Sequence, residues 1–443
     1  MQYKNKALVA LATLTLVGGC AGGGLFKASK PKSALLGDRI SILTSESGVE
    51  VDPALADVAV TLPVAAPNDS WAQPGGNAAK SMGHPALGAT LGTAWTTKIV
   101  GASKESRLAA APVIADGKLY VMGTDAVISA YNAASGSKLW SAKFGDGGKN
   151  SASLFGGGVS VEGTFLYATN GLGDVGALNV ADGSVVWKKR PGGPLRGAPT
   201  VALGNVYAMS QDNQIIALKA TDGNVEWTEN AAVQLAGVFG VAAPAVAQGT
   251  VIAGFSSGDL NAYRYENGRT VWQEALSRTS INTAVGTLSD IDADPVVDQG
   301  RVFAVGQGGR MVSLELVTGQ RIWEMNIAGI STPWVAGEWL FVVTDEAKLL
   351  CIARATGKVR WSTALQRYRK EKSKNGPVSW TGPALAGDRL ILASSEGEMV
   401  SVGAGDGKVQ STTKIGAPVF LPPVIANSTL YILDNSGKIT AFR

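Results

Sequence analysis

The sequence predicts an all-β protein, an eight-bladed β-propeller of four-stranded antiparallel blades. Its composition and two repeating patterns predict this fold class. Of the 443 residues, 56 are glycine and only 17% are charged. That composition suits a turn-rich β protein better than a helical one, whose exposed faces need many Lys and Glu residues. The two patterns recur together about every 45 residues, and four-stranded units repeated at such a spacing are typical of propellers.

The first pattern is an apolar strand, a turn containing glycine, and a tryptophan four residues after the glycine. One copy is "GALNVADGSVVW", which ends at Trp187. The glycine permits the positive φ of a tight turn, and a tryptophan that begins the outermost strand can cover the gap between neighbouring blades. The tryptophans assigned to this structural repeat are Trp140, Trp187, Trp227, Trp272, Trp323 and Trp361. A seventh copy, "VSVGAGDGKVQS", has Ser411 at this position.

The second pattern is a proline, a short apolar strand, a polar turn and another apolar strand, as in "AAPVIADGKLYV". Eight units follow it, one of them without the proline. A single four-stranded sheet cannot bury both faces, so such units stack around an axis. The last unit ends at "SGKITAFR" with no outer strand, whereas "LGTAWTTKIV" is an unassigned strand with Trp95 in the expected phase. We therefore predict a propeller over residues 88–443, closed by pairing its two ends.

The N-terminus predicts export and lipidation. Lys4 and Lys6 precede the apolar run "ALVALATLTLV", and "GGC" follows. A basic start, a short apolar core and small residues before a cleavage point describe a secretory signal, and the run is too short to span a bilayer permanently. The stretch "LVGGC" resembles the lipobox of bacterial lipoproteins. It implies that residues 1–19 are a signal peptide and that Cys20 is lipidated, and Ala21 resembles lipoproteins of the outer membrane.

Residues 20–87 differ in composition from the repeats. They begin with a Gly-, Ser- and Lys-rich stretch, and "TLPVAAPNDSWAQPGG" carries three prolines. Such a segment is typical of an extended tether. Short stretches such as "RISIL" have the composition to add a strand or to dock onto the propeller.

The sequence offers few residues for catalysis. With Cys20 lipidated, the only remaining thiol is Cys351, which cannot form an internal disulfide, and His84 is the only histidine, so there is no C-x-x-C-H haem site. No segment gathers the six or more oxygens of a calcium site. No phosphate-binding loop precedes a helix, and a net charge of +4 without a clustered basic face does not favour nucleic acid. We predict no catalytic residue, metal or cofactor.

One basic stretch remains after these exclusions. The run "LQRYRKEKSKNG", residues 365–376, carries several Lys and Arg residues and one tyrosine. We interpret it as a solvated loop between blades, with a contact to an anionic surface or a partner as the alternative.

The repeats are similar to those of quinoprotein alcohol dehydrogenases, which bind pyrroloquinoline quinone in an eight-bladed propeller. This chain lacks the adjacent cysteines that are common in those enzymes, and its ring has no histidine. The lipobox, the tether and the cofactorless repeats together resemble the BamB family of lipoproteins in the outer-membrane β-barrel assembly (Bam) machine. That resemblance implies a non-catalytic scaffold, lipid-anchored at the periplasmic face of the outer membrane, that aids folding and insertion of outer-membrane proteins.

Two segments strengthen the resemblance. "PLRGAPT" contains Leu195 and Arg196, and "LSDIDADPVV" contains Asp290 and Asp292; both resemble family loops that dock the POTRA domains of BamA. Gly193 stands where the family often has a further leucine, which weakens the apolar part of the contact. Charged groups beside a small apolar anchor are the usual composition of a binding hot spot. Because corresponding loops of a ring share one face, we expect these four residues to flank one sector near the central opening and to bind the partner.

The sequence is also compatible with two other functions. One is a dehydrogenase dependent on pyrroloquinoline quinone or calcium. The other is a periplasmic module that presents edge strands to unfolded barrel precursors without BamA.

Overall fold

The computed structural model describes residues 49–146, 153–232, 242–277 and 289–443. Eight sheets of four antiparallel strands form a ring, which confirms the predicted eight-bladed propeller. In blades 1 to 7 the strands pair in chain order, and the first strand of each blade contacts the first strand of the next. The first strand is therefore the innermost one, next to the central channel.

In the first four blades the strands run in order from the innermost outwards. Blade 1 consists of Val113–Ala115, Lys118–Met122, Val127–Asn132 and Lys138–Lys143. Blade 2 consists of Val159–Glu162, Phe165–Thr169, Val175–Asn179 and Val185–Lys189. Blade 3 consists of Thr200–Ala202, Asn205–Met209, Gln214–Lys219 and Val225–Asn230. Blade 4 consists of Ala245–Ala247, Thr250–Gly254, Asp259–Arg264 and Thr270–Ala275.

The other four blades follow the same order. Blade 5 consists of Val296–Asp298, Arg301–Val305, Met311–Glu315 and Arg321–Met325. Blade 6 consists of Trp334–Ala336, Trp339–Val343, Lys348–Ala353 and Val359–Ala364. Blade 7 consists of Trp380–Ala386, Arg389–Ser394, Glu398–Gly403 and Val409–Lys414. Blade 8 consists of Val424–Ala426, Thr429–Leu433, Lys438–Phe442 and Thr93–Lys98.

In the described part of the chain, little regular secondary structure lies outside the blades. The basic run forms a two-stranded hairpin, Tyr368–Lys370 with Asn375–Pro377, around the short 3₁₀ helix Glu371–Ser373. A second 3₁₀ helix is Pro53–Leu55. Neither helix is long or apolar enough to cross a membrane.

The ring closes where the N-terminal strand meets the last one. Thr93–Lys98 pairs with Lys438–Phe442 as the outer strand of blade 8. Gly92 and Arg443 exchange two backbone hydrogen bonds, of 2.7 and 2.9 Å. The two ends of the propeller are therefore held in one sheet, which confirms the predicted closure.

Tryptophans join seven of the eight pairs of neighbouring blades. The Trp227 indole nitrogen donates a hydrogen bond to the Tyr265 carbonyl of the next blade, 2.8 Å away. Its ring lies over Gly268, which has a φ of +71° and whose hypothetical Cβ would be 2.7 Å from the ring. That glycine serves both the turn and the close approach of the ring. The same donor–acceptor arrangement occurs in the pairs Trp95–Ala133, Trp140–Val180, Trp187–Ala220, Trp227–Tyr265, Trp272–Leu316, Trp323–Arg354 and Trp361–Ala404.

The structure also explains the missing tryptophan at Ser411. This residue lies on the outer strand of blade 7, next to blade 8. Because the third and fourth strands of blade 8 come from opposite ends of the propeller, no turn connects them. An indole at position 411 would therefore have neither the turn carbonyl as a hydrogen-bond acceptor nor the glycine beneath its ring that the seven tryptophans of the repeat have.

The two faces of the ring differ. Since strands alternate in direction, the turns after the first and third strands lie on one face, which we call the lower face. The described parts of the loops between blades and the turns after the second strands lie on the other, the upper face. Residues 49–92 pack along the lower face, where Val51 pairs with Val359 and Arg360 donates to the Val58 carbonyl. The described part of residues 20–87 therefore docks onto the propeller, which the sequence left open for short stretches of the predicted extended tether.

Residues 68–85, the channel-closing segment, contact the inner end of every blade in turn. Each contact includes a hydrogen bond to the blade, mostly through backbone atoms, so it depends little on the side-chain pattern. From blade 8 and then blades 1 to 7, the pairs are Asn68–Asn427, Trp71–Ile114, Ala72–Val161, Gln73–Val201, Ala78–Val246, Ala79–Val297, Gly83–Trp334 and Pro85–Gly387. The lower end of the channel is thereby covered.

Candidate functional site

Two loops that are distant in sequence meet on the upper face. Arg196 precedes blade 3 and Asp290 precedes blade 5. The Arg196 Nη2 and Asp290 Oδ1 atoms lie 3.7 Å apart, and only 6% and 1% of the two side chains are exposed. This buried ion pair links the two loops across blade 4.

Backbone hydrogen bonds hold both residues in place. The Arg196 amide donates to the Met209 carbonyl (2.9 Å), and its carbonyl accepts from the Gly157 amide (2.6 Å). The Asp290 carbonyl accepts from the Gln307 amide at 2.9 Å. The pair is therefore held by backbone contacts to a strand of blade 3, to the residue Gly157 before blade 2 and to a turn of blade 5.

Leu195 does not join this charged group. Its side chain is fully buried in the core between blades 2 and 3, in a cluster with Trp187, Val206 and Ile216. A leucine already buried in its own chain has no apolar surface left for a partner. The structure therefore corrects the expectation that Leu195 itself is the apolar anchor of the contact; it holds the loop against the blade.

Asp292 lies beside the ion pair and lines the channel. Its Oδ2 accepts a hydrogen bond of 2.8 Å from the Gln307 side chain, while its Oδ1 has no hydrogen-bond partner among the described residues. Burial raises the pKa of the Asp292 carboxyl to about 7; the negative charge of Asp290 adds to the rise and Arg196 opposes it. Burial also raises the pKa of the nearby Asp345.

A second charged pair lies deeper in the channel. The Lys80 amine, on the channel-closing segment, donates to the Thr200 hydroxyl at 2.9 Å. Burial lowers its pKa to about 8, opposed by the charge of Asp294. Burial likewise raises the pKa of Asp294, which accepts a 2.7 Å hydrogen bond from the Ala243 amide. The channel thus contains more carboxyl groups than cationic groups.

An apolar cavity of about 160 Å³ lies above the channel-closing segment. Its floor includes Trp71 and Lys80, and its walls are the loops and first strands of several blades. At its mouth two large apolar side chains on the upper face, Ile330 and Phe420, are 41% and 54% exposed. The channel is therefore a pocket that opens on the face that carries Arg196 and Asp290.

The surface next to the ion pair is formed by different residues. Pro194, Gln211 and Asp212 are exposed, and the Gln211 amide donates to the Pro194 carbonyl at 2.8 Å. Pro194, from the loop before blade 3, and Gln211 and Asp212, from the turn after the second strand of that blade, form the crest above Leu195 and Arg196, which solvent or a partner can touch.

Sequence reasoning missed Lys80 and Asp294. Asp294 follows Asp290 and Asp292 at a spacing of two residues, and extended chains place such residues on one side, so this pattern could have identified it. Lys80 lies among small residues in "GGNAAKSMGHP", with no local signal of burial. Cys20 lies outside the described residues. Within them, no group of three or more His, Cys, Asp or Glu residues could hold a metal ion.

Comparison with known proteins identifies the family. The profile of the family described as "Outer membrane protein assembly factor BamB" matches residues 88–153 and 124–363. A Salmonella typhimurium protein of that description is 30% identical over 353 residues, which are 79% of this chain and 88% of the relative.

Solved structures share the fold. BamB from Moraxella catarrhalis superposes with a TM-score of 0.67 and 17% identity, covering 80% of this chain and all of that one. Quinohemoprotein alcohol dehydrogenase from Comamonas testosteroni gives a TM-score of 0.66 and 15% identity, covering 85% of this chain and 81% of the enzyme. Fold alone does not separate a scaffold from an enzyme, but the family profile spans more than half of the chain. The chain therefore belongs to the BamB family of outer membrane protein assembly factors.

Proposed function

We propose that the protein is a non-catalytic scaffold that docks the POTRA domains of BamA on its upper face, next to the Arg196–Asp290 ion pair. The observation that carries this proposal is the buried pair itself, which joins two loops into one rigid surface. The chain's own residues 49–92 lie along the lower face and close the channel there, whereas the channel opens on the upper face beside these loops.

Within this surface the four expected residues have different roles. Leu195 and the Arg196–Asp290 pair position the crest, whereas Asp292 lines the channel beside the pair and has a buried oxygen without a hydrogen-bond partner among the described residues. Positioning by buried groups gives the contact its shape, and the exposed charge of Asp212 on the crest steers association.

A photo-crosslinking experiment tests the docking. A photoreactive amino acid at Gln211, on the crest, should crosslink to BamA in intact cells. The matched control is Leu203, which is in the same blade but in a turn on the lower face, where it is 51% exposed. Crosslinking to BamA from position 203 and not from 211 would refute the proposed orientation.

We also propose that Cys20 carries the lipid anchor and holds the protein at the periplasmic face of the outer membrane. A single acyl chain binds membranes only weakly, so stable anchoring needs several chains. Cys20→Ser should move the protein from the membrane fraction to the soluble periplasmic fraction and remove the lipid from the intact mass. A Cys20→Ser protein that stays in the membrane fraction would contradict the anchor.

A quinone-dependent dehydrogenase is the second candidate, favoured by the likeness to the Comamonas testosteroni enzyme. Against it, the names of the sequence relatives describe assembly factors. Incubation of the purified protein with pyrroloquinoline quinone and Ca²⁺, followed by a dye-reduction assay with alcohols, decides between the two. Cofactor-dependent turnover would overturn the scaffold proposal.

A further inference from the structure

The pocket above the channel-closing segment has an apolar side. Trp71, Trp334 and Trp380 line it together with several prolines. Trp71 and Trp334 stack with their ring centroids 6.0 Å apart, and the Trp71 backbone pairs with Ile114 of blade 1. These contacts hold the aromatic wall rigid, so the pocket is already formed before any ligand binds.

The size of the pocket matches one side chain. Its volume is about 160 Å³, and an apolar cavity of about 150 Å³ is large enough for a benzene ring. Because the channel-closing segment forms the floor, a ligand has to enter from the upper face. There Ile330 and Phe420 continue the apolar surface beyond the mouth, so a ligand longer than one side chain would keep apolar contact outside the pocket.

Another part of the pocket wall, before blade 5, is acidic. Asp292 and Asp294 line it, with Lys80 on the floor beside Asp294, and the Asp292 Oδ1 atom lacks a hydrogen-bond partner among the described residues. A buried acceptor without a donor costs free energy that a ligand donor recovers. A ligand with a cationic group next to its apolar group would fit both walls, and an acidic one would be repelled.

We propose that this pocket binds an aromatic side chain from an extended polypeptide segment of a partner, with a basic residue next to the aromatic one facing Asp292. A polypeptide is the ligand that satisfies all three features, because its backbone can cross the exposed Phe420 while one side chain enters and the next meets the carboxylate. This binding site extends the proposed docking of BamA and rests on it, because Asp292 belongs to both surfaces.

The test is a calorimetric titration of the full chain in detergent with capped tetrapeptides. The probe has the sequence glycine–phenylalanine–arginine–glycine. In one comparison peptide alanine replaces phenylalanine, and in another glutamate replaces arginine. Burying an aromatic side chain contributes about 1.5–3 kcal/mol, so the alanine peptide should bind about 10- to 100-fold more weakly than the probe. The glutamate peptide should also bind about tenfold more weakly.

Two protein variants locate the binding site. Ala111→Leu fills the pocket from its wall and should weaken binding of the probe peptide about tenfold. Ala134→Leu, on an exposed lower-face turn of the same blade, should leave this binding unchanged. Phe420→Ser should weaken binding of the probe peptide severalfold. Val317→Ser, at a position exposed on the lower face, should leave this binding unchanged. Both upper-face positions are at least partly exposed, so the variants should fold, which the melting temperature checks.

The possible outcomes decide the proposal. Preference for the phenylalanine peptide that Ala111→Leu removes and Ala134→Leu preserves would support it. Equal binding of the phenylalanine and alanine peptides, or equal effects of the two leucine variants, would overturn it. Since no BamA is present in the titration, its failure leaves the crosslinking result at Gln211 unaffected, and the two proposals can fail separately.

Discussion

Arg196 and Asp290 illustrate how burial changes the meaning of a charged residue. Charged residues on loops are mostly exposed, but the Arg196 side chain is only 6% exposed. Removing one partner of a buried pair typically costs about 3–5 kcal/mol. Arg196→Ala should therefore lower the free energy of unfolding by about this amount, measured by urea denaturation. The double variant Arg196→Met with Asp290→Leu should lose less than the sum of its single variants, and additivity would contradict the coupling.

Asp292 predicts a pH dependence of stability. Its carboxyl pKa is about 7 in the folded chain, against an ordinary value of 3.8, so the folded state binds the proton more tightly. Its contribution to stability is present below about pH 4 and is lost as the pH rises to about 7. Asp290, Arg196, Asp345 and Gln307 face this group. The Asp292→Asn variant has no carboxyl group to ionise and so does not lose this stability. Its melting temperature should therefore rise relative to that of the unaltered chain as the pH increases from 4 to 7.

A matched control separates this effect from a general response to pH. Asp182 is an exposed turn carboxyl whose pKa is lowered by hydrogen bonds from Ser184. Asp182→Asn should therefore show no relative gain as the pH rises. A constant difference between Asp292→Asn and the unaltered chain across this range would contradict the burial of the Asp292 charge.

At the scale of the blade, one tryptophan joins two sheets. Trp227 is 7% exposed, contacts Tyr207 and Tyr263, and donates to a carbonyl of the next blade. Trp227→Ala leaves a cavity and an unpaired carbonyl, and should reduce the free energy of unfolding by about 3–5 kcal/mol. Val225→Ala, on the same strand but 50% exposed, should change it little. Equal melting temperatures for the two variants would refute the interblade role.

The channel-closing segment is a structural element without regular secondary structure. Its carbonyls accept hydrogen bonds from the amides of Val161, Val246 and Val297, on the innermost strands of blades 2, 4 and 5. Replacing residues 68–85 by a glycine–serine linker of equal length should expose these amides and accelerate their hydrogen exchange, while amides of the third strands stay protected. Unchanged exchange at the three valines would show that the segment does not hold the channel closed.

At the scale of the whole molecule, stability depends on a closed ring. Deletion of residues 438–443 removes a central strand of blade 8 and leaves Thr93–Lys98 without its partner. Because each blade is covered by its neighbours, an open ring exposes two sheet faces. The deletion should abolish cooperative unfolding, observed by calorimetry. Deletion of the exposed hairpin residues 369–375 is the control and should preserve it.

The blades were predictable from sequence because their information is local. Alternating apolar residues, a glycine with positive φ and a tryptophan four residues later define each strand and turn within about 45 residues. The number of blades followed from counting units, and the closing strand from an unpaired end. The loops of the candidate site could be located by resemblance, since they occupy equivalent places in the repeat.

The roles of those loops and of the N-terminal extension depend on contacts between segments that are distant in sequence. The Arg196–Asp290 pair and the burial of Leu195 depend on residues from other blades, which no local pattern encodes. Residues 68–85 lack a periodic pattern because backbone hydrogen bonds, which are largely independent of side-chain identity, attach them to the blades. Local patterns in the sequence thus specify a ring of eight blades, whereas the packing of distant segments closes the channel below and leaves it open above, beside the charged loops.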